Sequence, residues 1–220
     1  RDTVMAKYND PTKGLLIGCG NEFGYKMLDN LNSTQVNSWA ELKELVDWLI
    51  EKKGIEHDIK IVGFDTGDEL VLLADKETIK ISNAENPNKR VKSIKAAMGG
   101  FTAGEKYSAN DVIKPLITRL QLAGFGVWVI AHTSFKTIKE KGSLEEDGYM
   151  QLTSNLGKDY ESAFGDIFDV TLTGVIDRQF DEVDKNGKTK KYTTDTVRKL
   201  YFRDTPLIDA GGRFAYGAVP

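Results

Sequence analysis

Four short apolar runs set the rhythm of the chain. Gly14-Leu15-Leu16-Ile17-Gly18, Ile59 to Phe64 and Phe125 to Ala131 are brief and mostly apolar, and Phe168 to Thr173, which alternates with Asp169, Thr171 and Thr173, reads as a fourth. That is the pattern of strands buried on both faces. Between them the period changes to that of helices. From Ser38 onward, Trp39, Leu42, Leu45, Val46 and Leu49 recur on one face, with Ser38 as N-cap and Glu41 as its capping-box partner. Glu69 to Leu73 continues the second strand as a short helix. Ser108 to Ala123 is amphipathic, with Val112, Leu116, Ile117 and Leu120 inward and Pro115 as a kink. Thr3 to Tyr8 reads as the end of a helix stopped by Asn9-Asp10-Pro11. Lys76 to Lys92 is polar and reads as a loop or lid, and Met98-Gly99-Gly100-Phe101 as a glycine turn.

Strand alternating with helix predicts an α/β fold, a mostly parallel sheet flanked by helices. After Gly174 the pattern shifts. Val175 to Val183, Lys185-Asn186-Gly187-Lys188 and Lys190 to Phe202 predict an antiparallel β-hairpin with Asn-Gly at its turn. The expected organisation is a core over residues 1–174 and a hairpin extension of the same domain over 175–220.

Composition narrows the function less. The 220 residues carry a formal charge of -3, so contact with a nucleic acid requires a local basic patch. The single cysteine, Cys19, excludes an internal disulfide and fits a reducing cytoplasm. No apolar run approaches the ~20 residues that cross a bilayer. Two histidines, His57 and His132, and one cysteine argue against a zinc site.

The candidate chemistry lies where three of the strands end, because open parallel sheets bind ligands at the carboxyl ends of their strands. The first leads to Asn21 and Glu22, the second to Asp65 and Thr66, the third to His132 and Thr133. Ile61-Val62-Gly63-Phe64 before Asp65 has the form of a Walker B strand, whose acid holds Mg²⁺ beside a nucleotide phosphate. The competing reading makes Asp65 a helix cap. Glu22 has the chemistry to align and deprotonate an attacking water, and otherwise is a solvated loop acid. His132 is either a γ-phosphate sensor or a structural hydrogen-bonder. Lys136, Lys139 and Lys141 are either phosphate contacts or a solvated face. Arg178, Arg198 and Arg203 are candidates for an arginine finger, and nothing selects among them. Trp39, Trp48 and Trp128 are expected in the core.

Taken in order, "LLIGCGNEFGYKML", "NSWAEL", "IVGFDTGDEL", "GGFTAG", "VWVIAHTSFKTI" and "QLTSNL" resemble the phage-encoded RecA-like, AAA-type ATP-binding proteins. The similarity runs from about Leu15 to about Gly174. It implies a RecA-like core that binds ATP and Mg²⁺, with Asp65 as the Walker B acid, Glu22 as catalytic glutamate and His132 as sensor, and Thr66 and Thr133 beside the nucleotide. It also implies side-by-side assembly into a ring or filament, single-stranded DNA or a phage recombination or replication protein as partner, and the host cytoplasm as location. One expected part is missing. The phosphate-cradling loop GxxxxGK[ST] occurs nowhere in the 220 residues. It is expected immediately before Arg1, on a strand neighbouring that of Asp65. The rival readings are a non-catalytic structural or DNA-loading adaptor, and an α/β enzyme that uses Asp65 and His132 without a nucleotide.

Overall fold

The computed structural model describes residues 13–27, 30–139, 148–185 and 188–213, with the backbone alone between 179 and 194. The helix expected at Thr3 to Tyr8, its Asn9-Asp10-Pro11 stop, Lys141 and the Asn186-Gly187 turn lie outside those residues. The chain forms two compact units, one of residues 1–132 and 154–167, the other of 133–153 and 168–220.

In the first unit, β1 (Gly14–Cys19), β2 (Ser33–Val36), β3 (Ile61–Asp65) and β4 (Gly126–Ile130) form a parallel sheet in the order β2-β1-β3-β4. The helices are α1 (Trp39–Lys52), α2 (Gly67–Glu85), α3 (Ala103–Tyr107), α4 (Lys114–Leu122) and α5 (Lys158–Ile167). This is the expected α/β architecture, consistent with a RecA-like fold. Leu16, Ile17, Val62 and Phe64 of the two central strands are fully or almost fully buried, which is why those strands read as unbroken apolar runs. α2 packs on both central strands, α1 on β2 and α4 on β4, and Leu42, Val46 and Leu49 of α1, Leu70 and Leu73 of α2, and Ile117 and Leu120 of α4 are all buried. Ser38 caps α1 as its spacing predicts, its side chain accepting from the Glu41 N–H at 3.2 Å.

Several elements depart from the pattern reading. β2, Ser-Thr-Gln-Val, is polar and buries only Val36, so hydropathy gave no signal for it. The run Phe168 to Thr173 does not join the parallel sheet. Val170–Thr171 of it form a strand, β7, paired antiparallel with Gly211–Gly212, and Thr173 opens the next strand. α2 extends to Glu85, so Lys76 to Glu85 is helix rather than loop. Its inward face there is Ala74, Thr78 and Ser82, small residues at i, i+4 that an apolar count passes over. Pro115 stands in the first turn of α4, where its missing N–H is tolerated. The break expected of it is taken up by a π turn at Ser108–Ile113.

The third strand differs most from expectation. β4 is Gly-Val-Trp-Val-Ile, yet none of it is fully buried and Trp128 is 37% exposed. Trp48 is also part-exposed and lies tilted against His57, so neither tryptophan is core. Both neighbours of β3 are already taken, by β1 and β4. The loop-bearing strand expected beside β3 therefore has no place there. Among the described residues, the outer edge of β4 pairs with no strand.

The second unit contains β5 (Thr133–Ile138) paired with β6 (Tyr149–Ser154), neither foreseen, and the long hairpin β8 (Thr173–Lys185) with β9 (Lys188–Tyr201). The hairpin register runs from Thr173 opposite Tyr201 to Lys185 opposite Lys188, with an irregularity at Gln179/Phe180. Thr153 Oγ1 donates to Asp209 at 2.7 Å, and Gln151 Nε2 to Asp204 at 2.9 Å. Among the described residues, no helix is long and apolar enough to cross a membrane.

Candidate active site at the carboxyl edge of the parallel sheet

The register places Gly18 of β1, Asp65 of β3 and Ile130 of β4 side by side. The chain leaves all three strands at the same edge, so Glu22, Asp65 and His132 are brought there by adjacent strands of one unit. Thr133 begins the second unit and is exposed. Lys136, Lys139, Arg178, Arg198 and Arg203 belong to that unit too.

Asp65 is 0% exposed. It does not cap α2. Thr66 does, its Oγ1 accepting from the Glu69 N–H at 3.3 Å. The helix-cap alternative for Asp65 therefore passes to its neighbour. The field of the Asp65 carboxylate is felt nearby. Burial, then Asp65 and Glu69, push the Cys19 thiol up to about 12. Burial, then Asp65, Cys19 and Glu22, also raise the Tyr25 phenol.

The first turn of α2 ties the strand ends together. Asp68 Oδ2 accepts from the His132 N–H at 2.9 Å and from His132 Nδ1 at 3.2 Å. That fixes the ring and assigns the proton to Nδ1. The other oxygen of Asp68 accepts from Asn155 Nδ2 at 3.4 Å. On the other side, Glu69 Oε2 accepts from the Asn21 N–H at 3.3 Å. Glu22 lies in the loop after β1, where its Oε1 accepts from the Gly24 N–H at 2.9 Å. Gln35 of β2 braces the same loop, donating to the Gly20 carbonyl at 2.5 Å and accepting from Tyr25 Oη at 3.1 Å. Gly20 has φ +58, and a Cβ there would strike the Glu69 carboxylate. A Cβ on Gly18 would fall on the Tyr25 ring. Sequence reasoning missed Gln35, Asp68, Glu69 and Asn155. The available signal was Asp68 and Glu69 within four residues of the Walker B-like acid.

The shifted thiol predicts a pH effect. Folded Cys19 ionises near 12, against an ordinary value of 9.0. Its contribution to stability is whole below the unfolded value and is lost as pH rises through the folded one. Stability should fall above about pH 9, by up to roughly 1.4 kcal/mol per pH unit from this group. Thermal melts across that range check it. Cys19→Ala should flatten the fall, and an unchanged slope would remove Cys19 as its source.

A family model described as AAA domain matches residues 3–214. The chain belongs to the AAA domain family. Comparison with curated proteins gives no match. Membership in the AAA domain family makes this a nucleotide-binding domain of the P-loop NTPase type, a class whose general activity is ATP hydrolysis. Mg²⁺ is the ion that typically accompanies such a nucleotide. Among the described residues, no group of three or more His, Cys, Asp or Glu forms a metal cage. Mg²⁺ is commonly held by one or two carboxylates plus substrate phosphates rather than by an all-protein cage, and Asp65 is a fully buried carboxyl at this edge.

Proposed function

We propose that this AAA domain hydrolyses ATP and couples hydrolysis to DNA recombination, annealing or replication in a phage. Support for this reading comes from one observation: three adjacent parallel strands deliver Glu22, Asp65 and His132 to a single edge. Glu22 is the general base that takes a proton from the attacking water. Asp65 would hold Mg²⁺, which would supply charge neutralisation at the phosphates. Asp65 is fully buried, so a cation reaches it only where the side chains above it open. His132, oriented by Asp68, senses the γ-phosphate, and Thr66 lines the nucleotide.

This reading needs a glycine-rich loop whose amides hold the phosphates, and the 220 residues contain none of the form GxxxxGK[ST]. The half-exposed apolar strand β4, whose outer edge pairs with no strand among the described residues, supports a place for a strand that brings such a loop. Copies assemble side by side, and single-stranded DNA or a phage recombination or replication protein is the partner.

Phosphate release from ATP by the protein with its phosphate loop, with Mg²⁺ and single-stranded DNA, tests the reading. Turnover is expected, and its absence favours a structural or DNA-loading adaptor. Parent protein should bind DNA with different affinities in ATP and in ADP. His132→Ala should bind equally in both. A variant that discriminates as the parent does would end the sensor assignment.

A further inference from the structure

The first unit has a cation-rich surface well removed in sequence from the sheet edge. Between Glu85 and Glu105 there is no acidic residue, while Lys89, Arg90, Lys92 and Lys95 fall within seven positions. All four are exposed. In a chain of net charge -3 this is a local excess of +4. The segment is not loose. Asn83 of α2 holds it with two hydrogen bonds to Val91, donating from Nδ2 to the carbonyl at 2.9 Å and accepting from the N–H at 2.7 Å. The fold leaves a cleft of about 470 Å³ lined by Lys76, Ile79, Lys80, Asn83, Ala84 and Arg90. Lys80 is shared with Glu77 at 3.2 Å.

The next residue of α2 on the N-terminal side anchors a second feature. Ser82 Oγ accepts from the Met98 N–H at 3.0 Å. From there the backbone passes through four positive φ values, 54 at Met98, 93 at Gly99, 92 at Gly100 and 55 at Phe101. α3 begins two residues later. This turn presents Phe101 at 95% exposure. Phe101 is three residues from the anchored Met98, so chain length keeps it within about 11 Å of that anchor. A fully exposed aromatic on a fixed turn, anchored at the residue beside the one that holds the cationic segment, combines two recognition elements. Cations follow a phosphodiester backbone, and an aromatic face stacks an unpaired base.

We infer that the Asn86 to Lys95 segment, the outer face of α2 and Phe101 together bind a single-stranded polynucleotide. Lys89, Arg90 and Lys92 contact the backbone, and the Phe101 ring stacks a base. A duplex fits less well, because its bases are already stacked and paired. An acidic peptide would use the cations but would leave the ring without a role. The inference shares with the proposed function only DNA as ligand. It needs no nucleotide, so the test is run without ATP, and failure here leaves the hydrolysis reading intact.

The probe is a fluorescein-labelled oligothymidylate, titrated with the protein by anisotropy at several salt concentrations. Replacing Lys89, Arg90 and Lys92 together by Ala should reduce the slope of log K against log salt by about 2. Phe101→Ala should weaken binding by roughly 5- to 150-fold, the range for loss of one base stack, whereas Phe101→Tyr should bind as the parent does. As a second readout, light-induced crosslinking of an iododeoxyuridine oligonucleotide should mark the peptide that contains Phe101. The inference is overturned if the parent does not bind the oligonucleotide, if the triple variant keeps the parent slope, or if the crosslink falls elsewhere. It is also overturned if poly-glutamate competes fully while Phe101→Ala changes nothing, the outcome expected for an acidic protein segment.

Discussion

Glu22→Gln should abolish most ATP turnover while nucleotide binding stays near the parent value. The expected loss is roughly 10²–10⁴-fold, the usual contribution of a general base. The substitution is discriminating because of how Glu22 sits. Its Oε1 accepts from the Gly24 N–H, and a glutamine carbonyl can accept the same bond. Asn21 stays tied to Glu69 and Gly20 to Gln35, so the loop should keep its shape and only proton acceptance should be lost. Single-turnover phosphate release beside equilibrium nucleotide binding measures the two separately. Equal losses in both would make Glu22 a loop-shaping residue.

Asp65→Asn should lower turnover by roughly 10²–10³-fold if Asp65 holds the metal, since the charge stabilisation at stake is several kcal/mol. It also has a consequence that needs no activity. Asp65 contributes to the raised ionisation of Cys19 and Tyr25, so both should titrate lower in the variant. Replacing a fully buried carboxyl by a neutral amide should also raise the melting temperature, with function given up for stability. Because Thr66 caps α2, loss of a cap cannot confuse the outcome. Parent-level turnover would end the metal role. An unmoved Cys19 would show that the charge of Asp65 does not act at that thiol.

The parts of the fold legible in the sequence were those whose physics is a simple period. β1 and β3 bury both faces, and α1 buries one stripe behind the Ser38 cap, so hydropathy and capping chemistry found them. β2 was invisible because a polar edge strand, Ser-Thr-Gln-Val, is defined by its backbone partner β1 rather than by its side chains. The outer half of α2 was hidden for a related reason. Its buried face is Ala74, Thr78 and Ser82, which pack by being small. Val170–Thr171 misled in the opposite direction, since a strand-like run does not say which sheet it joins. At the candidate site, Glu22, Asp65 and His132 followed from strand ends alone. Asp68, Glu69 and Gln35 did not, because their role is to bond other parts of the chain. Such pairs, 64 residues apart for His132 and Asp68, leave no local pattern.

The outer side of β4, which pairs with no strand among the described residues, has a practical meaning for anyone handling the protein. An unpaired strand with exposed amides and carbonyls is a template for further strands, and natural edges are commonly defended by charge, proline or a bulge. Val127, Trp128, Val129 and Ile130 offer none of these. They form a short, uncharged, β-prone run of the kind that seeds aggregation when left open. Whatever segment closes that edge therefore also governs solubility, and preparations in which it is open should precipitate with rising concentration.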